Sequence, residues 1–363
     1  MTHSSPTVLW WSRSGRDYSR DRIIRNALTD LGVRIADFRP RISRFGDIEA
    51  AVRGIERPDA VWVPCFRQRD AGAAARWARR RDVPVIFDPL ISAWDKQVFE
   101  RQKFDSDSRA ARRLLKQESR LFRRCDRLIA DTRCHAQFFQ QTHQADPNRI
   151  SVIPVGAEEA IFRPKPMQER TGPLRVLFYG SFIGLQGPRH IAEASRLLPD
   201  VQWTFIGSGP LLDRCRDICA NADHVEFISR VPYDSLSDRI AEADVLFGVF
   251  GTSEKAGRVI PNKVYQALAC GRPVITRTSA AYPDDIVSRS ASESGLTFVE
   301  PGCPESIAAA VREFAAAPDC LALCSDSAGA TYRRWFSNRH VRDAVAEVLD
   351  GAGIRLTEQN RAA

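Results

Sequence analysis

Asp244-Val-Leu-Phe247, and a few residues later Gly251-Thr-Ser-Glu-Lys-Ala-Gly-Arg-Val-Ile-Pro-Asn-Lys-Val-Tyr-Gln-Ala-Leu-Ala-Cys-Gly-Arg-Pro-Val-Ile275, spell a strand, a loop, a helix and a second strand. The two apolar runs, Asp244–Phe247 and Pro273–Thr276, are too short for helices and read as buried strands. A strand, a crossover helix and another strand imply parallel pairing. Pro261 is expected as the first helical residue, where its missing N–H is no loss, and Gly271 just past the end. The helix then starts at a carboxyl strand end, with free amides and a positive dipole end suited to an anion. Asn262, Lys263 and Gln266 fall on one side of its first two turns. Lys255, Arg258 and Lys263 add cations, and two of only six lysines lie in this segment. A diphosphate suits it best.

Outward from this unit the same plan repeats. Arg175–Tyr179, Val201–Phe205, Val225–Ile228 and Leu296–Val299 are further strands, separated by helical patterns. Thr7–Trp11, Ala60–Pro64, Val83–Phe87, Arg127–Ala130 and Ser151–Pro154 form a second such set. Both halves therefore read as doubly wound α/β, with parallel sheets covered on both faces. The Pro-rich polar stretch Phe162–Gly172 separates them. The expected domains are 1–165 and 166–340, with a C-terminal helix over 340–363 packing back on the first. Carboxyl strand ends of the two sheets are expected to face a common cleft.

Two more loops carry glycines at carboxyl strand ends. In Tyr179-Gly-Ser-Phe-Ile-Gly-Leu-Gln-Gly-Pro188, Gly180, Gly184 and Gly187 let backbone approach a ligand, with Ser181 and Gln186 beside them. Gly207-Ser208-Gly-Pro210 ends the next strand in the same way.

The 363 residues are 44% apolar and 27% charged, an ordinary globular balance for two domains. No apolar run reaches the roughly 20 residues of a membrane span, and Met1–Pro6 lacks a secretory pattern, so a cytoplasmic protein is expected. Nine scattered cysteines without a Cys-x-x-Cys pair, and six scattered histidines, offer neither a disulfide framework nor a metal site. Net charge is +8, concentrated in residues 1–170, which hold 33 basic against 22 acidic side chains. That half is expected to face something anionic. Arg109–Arg127 has apolar residues at 111, 114, 115, 121, 122 and 125, and basic side chains elsewhere. It reads as a surface helix on its sheet, with peripheral contact to an anionic membrane as the other reading. Nucleic acid is not expected, because no aromatic-interleaved basic patch is present.

The second half resembles the donor-binding domain of retaining glycosyltransferases of the GT-B fold, family 4. The similarity rests on the Gly180–Gly187 loop, Phe205-Ile-Gly-Ser-Gly-Pro-Leu211, Val225-Glu-Phe-Ile-Ser-Arg-Val231, Ala243-Asp-Val245 and Gln266-Ala-Leu-Ala-Cys-Gly-Arg-Pro-Val274. Ala130-Asp-Thr132 and Val152-Ile-Pro-Val-Gly-Ala157 extend it loosely into the first half. The resemblance implies two Rossmann-like domains, a nucleotide diphosphate sugar as donor, transfer with retention to an acceptor on the first domain, and neither metal nor cofactor. Arg230 and Val231 would lie where the base is read. Gly15, after the first strand, would approach the donor, or is an ordinary turn. The family's Glu-x7-Glu pair falls on Arg258 and Gln266, and its two glycine-loop cations on Ser181 and Gln186. Arg258, Lys263 and Lys255 are expected to compensate at the diphosphate. Asp88, after Val83–Phe87, either binds substrate hydroxyls as a catalytic carboxylate or caps the next segment. Two other readings stay open: a nucleotide-sugar-binding protein without turnover, and a sugar-nucleotide epimerase of the same architecture.

Overall fold

The computed structural model describes residues 5–14, 18–101, 103–167 and 172–357. The chain divides into two compact units, Met1–Val155 with Asn338–Ala363, and Gly156–Ser337. The first break thus lies at Val155 rather than in the Pro-rich stretch. The cause is a set of straps holding that stretch to the second unit. The Ala157 amide donates to the Tyr332 hydroxyl at 3.2 Å, and Phe162 stands edge-on to Tyr233. The Arg272 guanidinium donates to the Lys165 carbonyl at 2.8 Å.

In the first unit six parallel strands, β1 (Thr7–Trp11), β2 (Arg34–Phe38), β3 (Ala60–Val63), β4 (Val85–Phe87), β5 (Arg127–Ala130) and β6 (Ile150–Val152), lie in the order β2-β1-β3-β4-β5-β6. Their alternation sorts the core into two layers. Leu9, Trp11, Val61, Val63 and Phe87 face the helices Gln68–Arg79 and Arg109–Phe122. Val8, Trp10, Trp62 and Ile86 face the helix Ser19–Asp30 and the C-terminal helix Asn338–Gly351. The latter buries Val341, Val345, Val348 and Leu349 there, so the C-terminal segment does return to the first unit.

β2 has no counterpart among the expected strands. It is an edge strand whose Arg34, Ile35, Ala36 and Asp37 are only partly covered, so it lacks the apolar run that marks buried neighbours.

The second unit has β7 (Arg175–Ser181), β8 (Gln202–Ser208), β9 (Val225–Ile228), β10 (Val245–Phe247), β11 (Val274–Arg277) and β12 (Leu296–Val299), all parallel, in the order β12-β11-β10-β7-β8-β9. Val176, Phe178, Trp203, Phe205 and Phe247 form the core under one face. The helix Asn262–Ala269 packs on β10 and β11. The expected doubly wound α/β class holds for both units. No described helix is long and apolar enough to cross a membrane.

Candidate functional site

β7 and β8 form the base of the candidate site in the second unit. Gly180, Ser181, Gly207 and Ser208, expected on loops, are instead the last rungs of these strands, with Gly180 opposite Gly207 and Ser181 opposite Ser208. The cause is steric. Both glycines have positive φ, +139° and +136°, and a Cβ on Gly207 would overlap the Gly180 carbonyl oxygen. With no side chains there, the strands stay paired to their carboxyl ends. The chain then turns through Phe182–Gln186, where Gly184 borders open space. Gly187, at φ +67°, caps the helix Pro188–Ser195 against the Phe250–Gly251 backbone.

Lys263 reaches this turn from the neighbouring helix. Its Nζ donates to Gln186 Oε1 and lies 3.8 Å from the centroid of the Phe178 ring. The same amine lines the side of Gly180 where a Cβ would stand. Only 4% of Lys263 is exposed, and burial holds its ammonium well below the usual lysine range. An anion at this point would restore the charged form, since an opposite charge offsets desolvation. The helix that carries Lys263 begins one residue later than expected. Pro261 is its N-cap, with ψ 153°, because its carbonyl already accepts the Val264 amide at 2.9 Å. Asn262 opens the helix, half-buried, and Gly271 follows its end at φ +66° as the sequence indicates.

Gln266 is 4% exposed and held at both ends. Its Oε1 accepts from the Tyr179 hydroxyl at 2.9 Å, and its Nε2 donates to the Tyr233 hydroxyl at 3.3 Å. Tyr233 in turn donates to Glu158 at 2.7 Å. The amide oxygen expected to be open to a ribose is therefore engaged by Tyr179, a partner the sequence reading did not contain.

Lys255 and Arg258 occupy the turn before the helix. Lys255 is buried, and Arg258 pairs with Glu254 at 3.4 Å. Of the three expected cations, Lys263 is the one placed against Gly180. Arg277 at the end of β11, absent from the sequence reading, fastens this turn by donating to the carbonyls of Gly251, at 2.5 Å, and Ser253, at 3.2 Å. Arg230 is exposed and Val231 half-buried on the segment after β9. Gly15 lies outside the described residues.

In the first unit Asp88 does not stand open as a hydroxyl-binding carboxylate. It is 1% exposed, with Oδ2 bound to Arg20 at 2.7 Å and Oδ1 accepting the Leu90 amide at 3.2 Å. Burial raises its carboxyl from the ordinary value against the opposing pull of Arg20. Arg20 also donates to the carbonyls of Ile153 and Pro154, each at 3.1 Å, so this pair ties β4 to the end of β6. Asp88 bonds within the turn at Leu90, and the cap of the next helix is Ser92, whose hydroxyl accepts the Asp95 amide at 3.1 Å.

A second buried network was not anticipated. Glu118 accepts from Ser92 Oγ at 2.6 Å and from the amides of Ala93 and Trp94 at 2.7 and 2.9 Å. His143 bridges Ser92 at 3.1 Å and Ser119 at 3.2 Å. Burial lowers its pKa to about 4, which keeps the imidazole neutral. With Ser92 donating to Glu118, Nε2 is the donor toward Ser92 and Nδ1 accepts from Ser119. The sequence held one signal: Glu118 and Ser119 interrupt the apolar stripe of a helix otherwise polar only on its outer face. Among the described residues no group of three His, Cys, Asp or Glu is arranged to hold a metal.

Residues 8–156 match the family described as "Glycosyl transferase 4-like domain", and residues 173–316 match "Glycosyl transferases group 1". A D-inositol 3-phosphate glycosyltransferase of Segniliparus rotundus is 29% identical over 222 residues, 56% of this chain and 47% of that protein. One from Mycolicibacterium vanbaalenii is 31% identical over 183 residues, 44% of this chain and 39% of its own length. The matched segment thus spans less than half of either relative. Among solved structures, sucrose-phosphate synthase of Thermosynechococcus elongatus superposes with a TM-score of 0.73 at 14% identity, covering 96% of this chain and 98% of that one. Anabaena Alr3699/HepE in complex with UDP gives 0.71 at 14% identity, covering 95% and 99%. Those likenesses carry the fold, and the two family matches carry the kinship. The chain belongs to the GT-B glycosyltransferases of family 4.

Proposed function

We propose that this protein transfers a glycosyl group from a nucleoside diphosphate sugar to an acceptor hydroxyl held on the first unit, with retention at the anomeric carbon. The observation that carries the reading is the buried Lys263 amine set against Gly180 at the start of the helix Asn262–Ala269. It supplies, from the adjacent helix, the cation that Ser181 and Gln186 do not. In the reaction the bond between the anomeric carbon and the diphosphate oxygen breaks, the acceptor oxygen takes its place, and the acceptor's proton passes to the departing diphosphate oxygen. The developing charge on the diphosphate is met by Lys263, with Arg258 and Lys255 on the preceding turn, and by the amides that begin the helix. Gln266, fixed by Tyr179 and Tyr233, forms a wall of the donor site. Anabaena HepE, crystallised with UDP-glucose, supports a uridine donor as the first to try.

The test is titration of the full chain with UDP, GDP and ADP, beside Lys263→Ala, followed by product analysis with the matching sugar donors. Lys263→Ala is expected to weaken the preferred nucleotide by about 1.5–3 kcal/mol, the worth of a charge-assisted contact. Equal affinity in parent and variant overturns the assignment of Lys263. An inverted anomeric product overturns retention.

A further inference from the structure

A cavity of about 950 Å³ lies in the first unit, running from the loops after β1, β3 and β4 along the groove between the helices Gln68–Arg79 and Arg109–Phe122. This volume is in the range of small-ligand sites, and its end at Arg13, Arg67 and Arg69 is where open parallel sheets take ligands. Its lining is strongly basic: Arg13, Arg67, Arg69, Lys103, Arg120 and Arg124 all border it. Among the described residues none of these six side chains pairs with a carboxylate. Arg76, also at its wall, is already neutralised by Asp47 at 2.7 Å. Two carboxylates face the cavity. Glu118 is consumed by Ser92, Ala93 and Trp94, as described above. Asp70 is 1% exposed and uses Oδ2 to accept the Arg13 amide at 3.1 Å, leaving Oδ1 buried with no partner. The Arg67 Nε is likewise buried and unpartnered.

An excess of unpaired cations beside one idle, shielded acceptor is a specific combination. The cations call for a phosphate or carboxylate group, because charge-assisted bonds to such oxygens are the strong ones. The idle carboxylate oxygen calls for a hydroxyl, because a buried acceptor left unmade costs free energy that a donor recovers. We propose that this cavity binds the acceptor, and that the acceptor is a polyhydroxylated molecule carrying a phosphate or carboxylate group. The anionic group sits among Arg67, Arg69 and Lys103, and Asp70 accepts one of its hydroxyls. The basic face of the helix Arg109–Phe122, through Arg120, thereby forms a wall of a ligand site. The word acceptor rests on the transfer reading above; the ligand chemistry rests on the cavity alone.

The experiment measures binding of glucose 6-phosphate, inositol phosphate and glucuronate to the full chain, each beside its uncharged parent. Vesicles of anionic and neutral lipid are a further arm for the same headgroup chemistry on a membrane. At least one anionic probe is expected to bind about tenfold or more tightly than its neutral parent. The double variant Arg67→Gln/Arg69→Gln is expected to remove that preference while its UDP affinity stays at the parent value. Asp70→Asn is expected to weaken charged and neutral polyols alike. Arg67 is half-buried and Arg69 exposed, and Asn at 70 keeps the shape of the buried Asp70 side chain and an oxygen for the Arg13 amide, so circular dichroism of the variants should match the parent. Binding of the soluble probes identifies a free acceptor, and binding of anionic vesicles lost in the same double variant identifies a lipid-borne one. Equal affinity for charged and neutral probes in every arm overturns the proposal. So does an anion preference that UDP competes away and Lys263→Ala abolishes, which would put the anion in the second unit. Absence of UDP, GDP and ADP binding with the charge preference intact would overturn the transfer reading and leave the cavity assignment standing.

Discussion

Lys263 is a buried amine, and its proposed contact with a diphosphate has a consequence in pH. The free protein disfavours the ammonium, because desolvation penalises the charged form. A bound diphosphate favours it. Binding should therefore take up protons, and affinity should fall as pH rises. Titration calorimetry in two buffers of different ionisation enthalpy is expected to show net proton uptake that vanishes in Lys263→Ala. Gln266 supports a second expectation. Restoring the family's carboxylate with Gln266→Glu would set two carboxylates, at 266 and at Glu158, around the single proton of the Tyr233 hydroxyl. One of them would be left without its bond. The variant should lose about 1–3 kcal/mol of stability at neutral pH, the cost of an unsatisfied buried acceptor, and recover part of it in acid. It should not gain turnover. A denaturant titration at two pH values checks the first statement and donor hydrolysis the second.

The buried polar relay of the first unit acts between elements. Ser92 and the amides of Ala93 and Trp94 belong to the segment after β4, Glu118 and Ser119 to the helix Arg109–Phe122, and His143 to the end of the helix Arg133–His143. The relay pins that segment, which borders the basic cavity, to two helices at once. Its pH signature is separable. His143 titrates near 4 when folded and near 6.5 when unfolded, so from pH 6.5 down to 4 the unfolded chain takes a proton the folded chain refuses. Its contribution to stability is lost on acidification through that window, about 3 kcal/mol in full. Asp21, raised to about 6 mainly by burial, works in the opposite sense, since the folded chain takes its proton first. The parent therefore carries two opposed slopes. His143→Gln removes one of them, and the gap between parent and variant should move in favour of the variant between pH 7 and pH 4, read by urea titration.

Across the whole molecule the chain leaves the first unit at Val155 and returns to it at Asn338. The returning helix buries Val341, Val345, Val348 and Leu349 on the same core as Ile23, Ile24 and Leu28. At about 1.5–3 kcal/mol for each such side chain, the four contribute an amount comparable to the whole stability of a domain. Truncation after Ser337 is therefore expected to unfold the first unit while the second, which keeps all its strands, still binds nucleotide. Loss of the cooperative transition of one unit, seen by calorimetry, with UDP affinity retained is the expected result.

Much of this organisation was written in the sequence, because periodicity and punctuation act locally. Runs such as Val245–Phe247 and Val274–Arg277 are apolar on both sides because both faces of their sheets are covered, and that alone reveals a parallel α/β fold. Gly271 marks a helix end wherever the helix packs, since its φ requires no Cβ. The motifs around Gly180 and Gln266 were legible for the same reason. What the sequence could not supply were partners far along the chain. Tyr179 and Gln266 are 87 residues apart, Lys263 and Gln186 are 77 apart, and Arg20 and Asp88 are 68 apart. Whether a carboxylate such as Asp88 or an amide such as Gln266 is open or engaged depends on which strand ends the sheet order places side by side. Long-range pairing is decided by packing of the whole chain, so only the tertiary structure could show that Asp88 is consumed, that one oxygen of Asp70 is left without a partner, and that six basic side chains from separate loops and helices border one cavity.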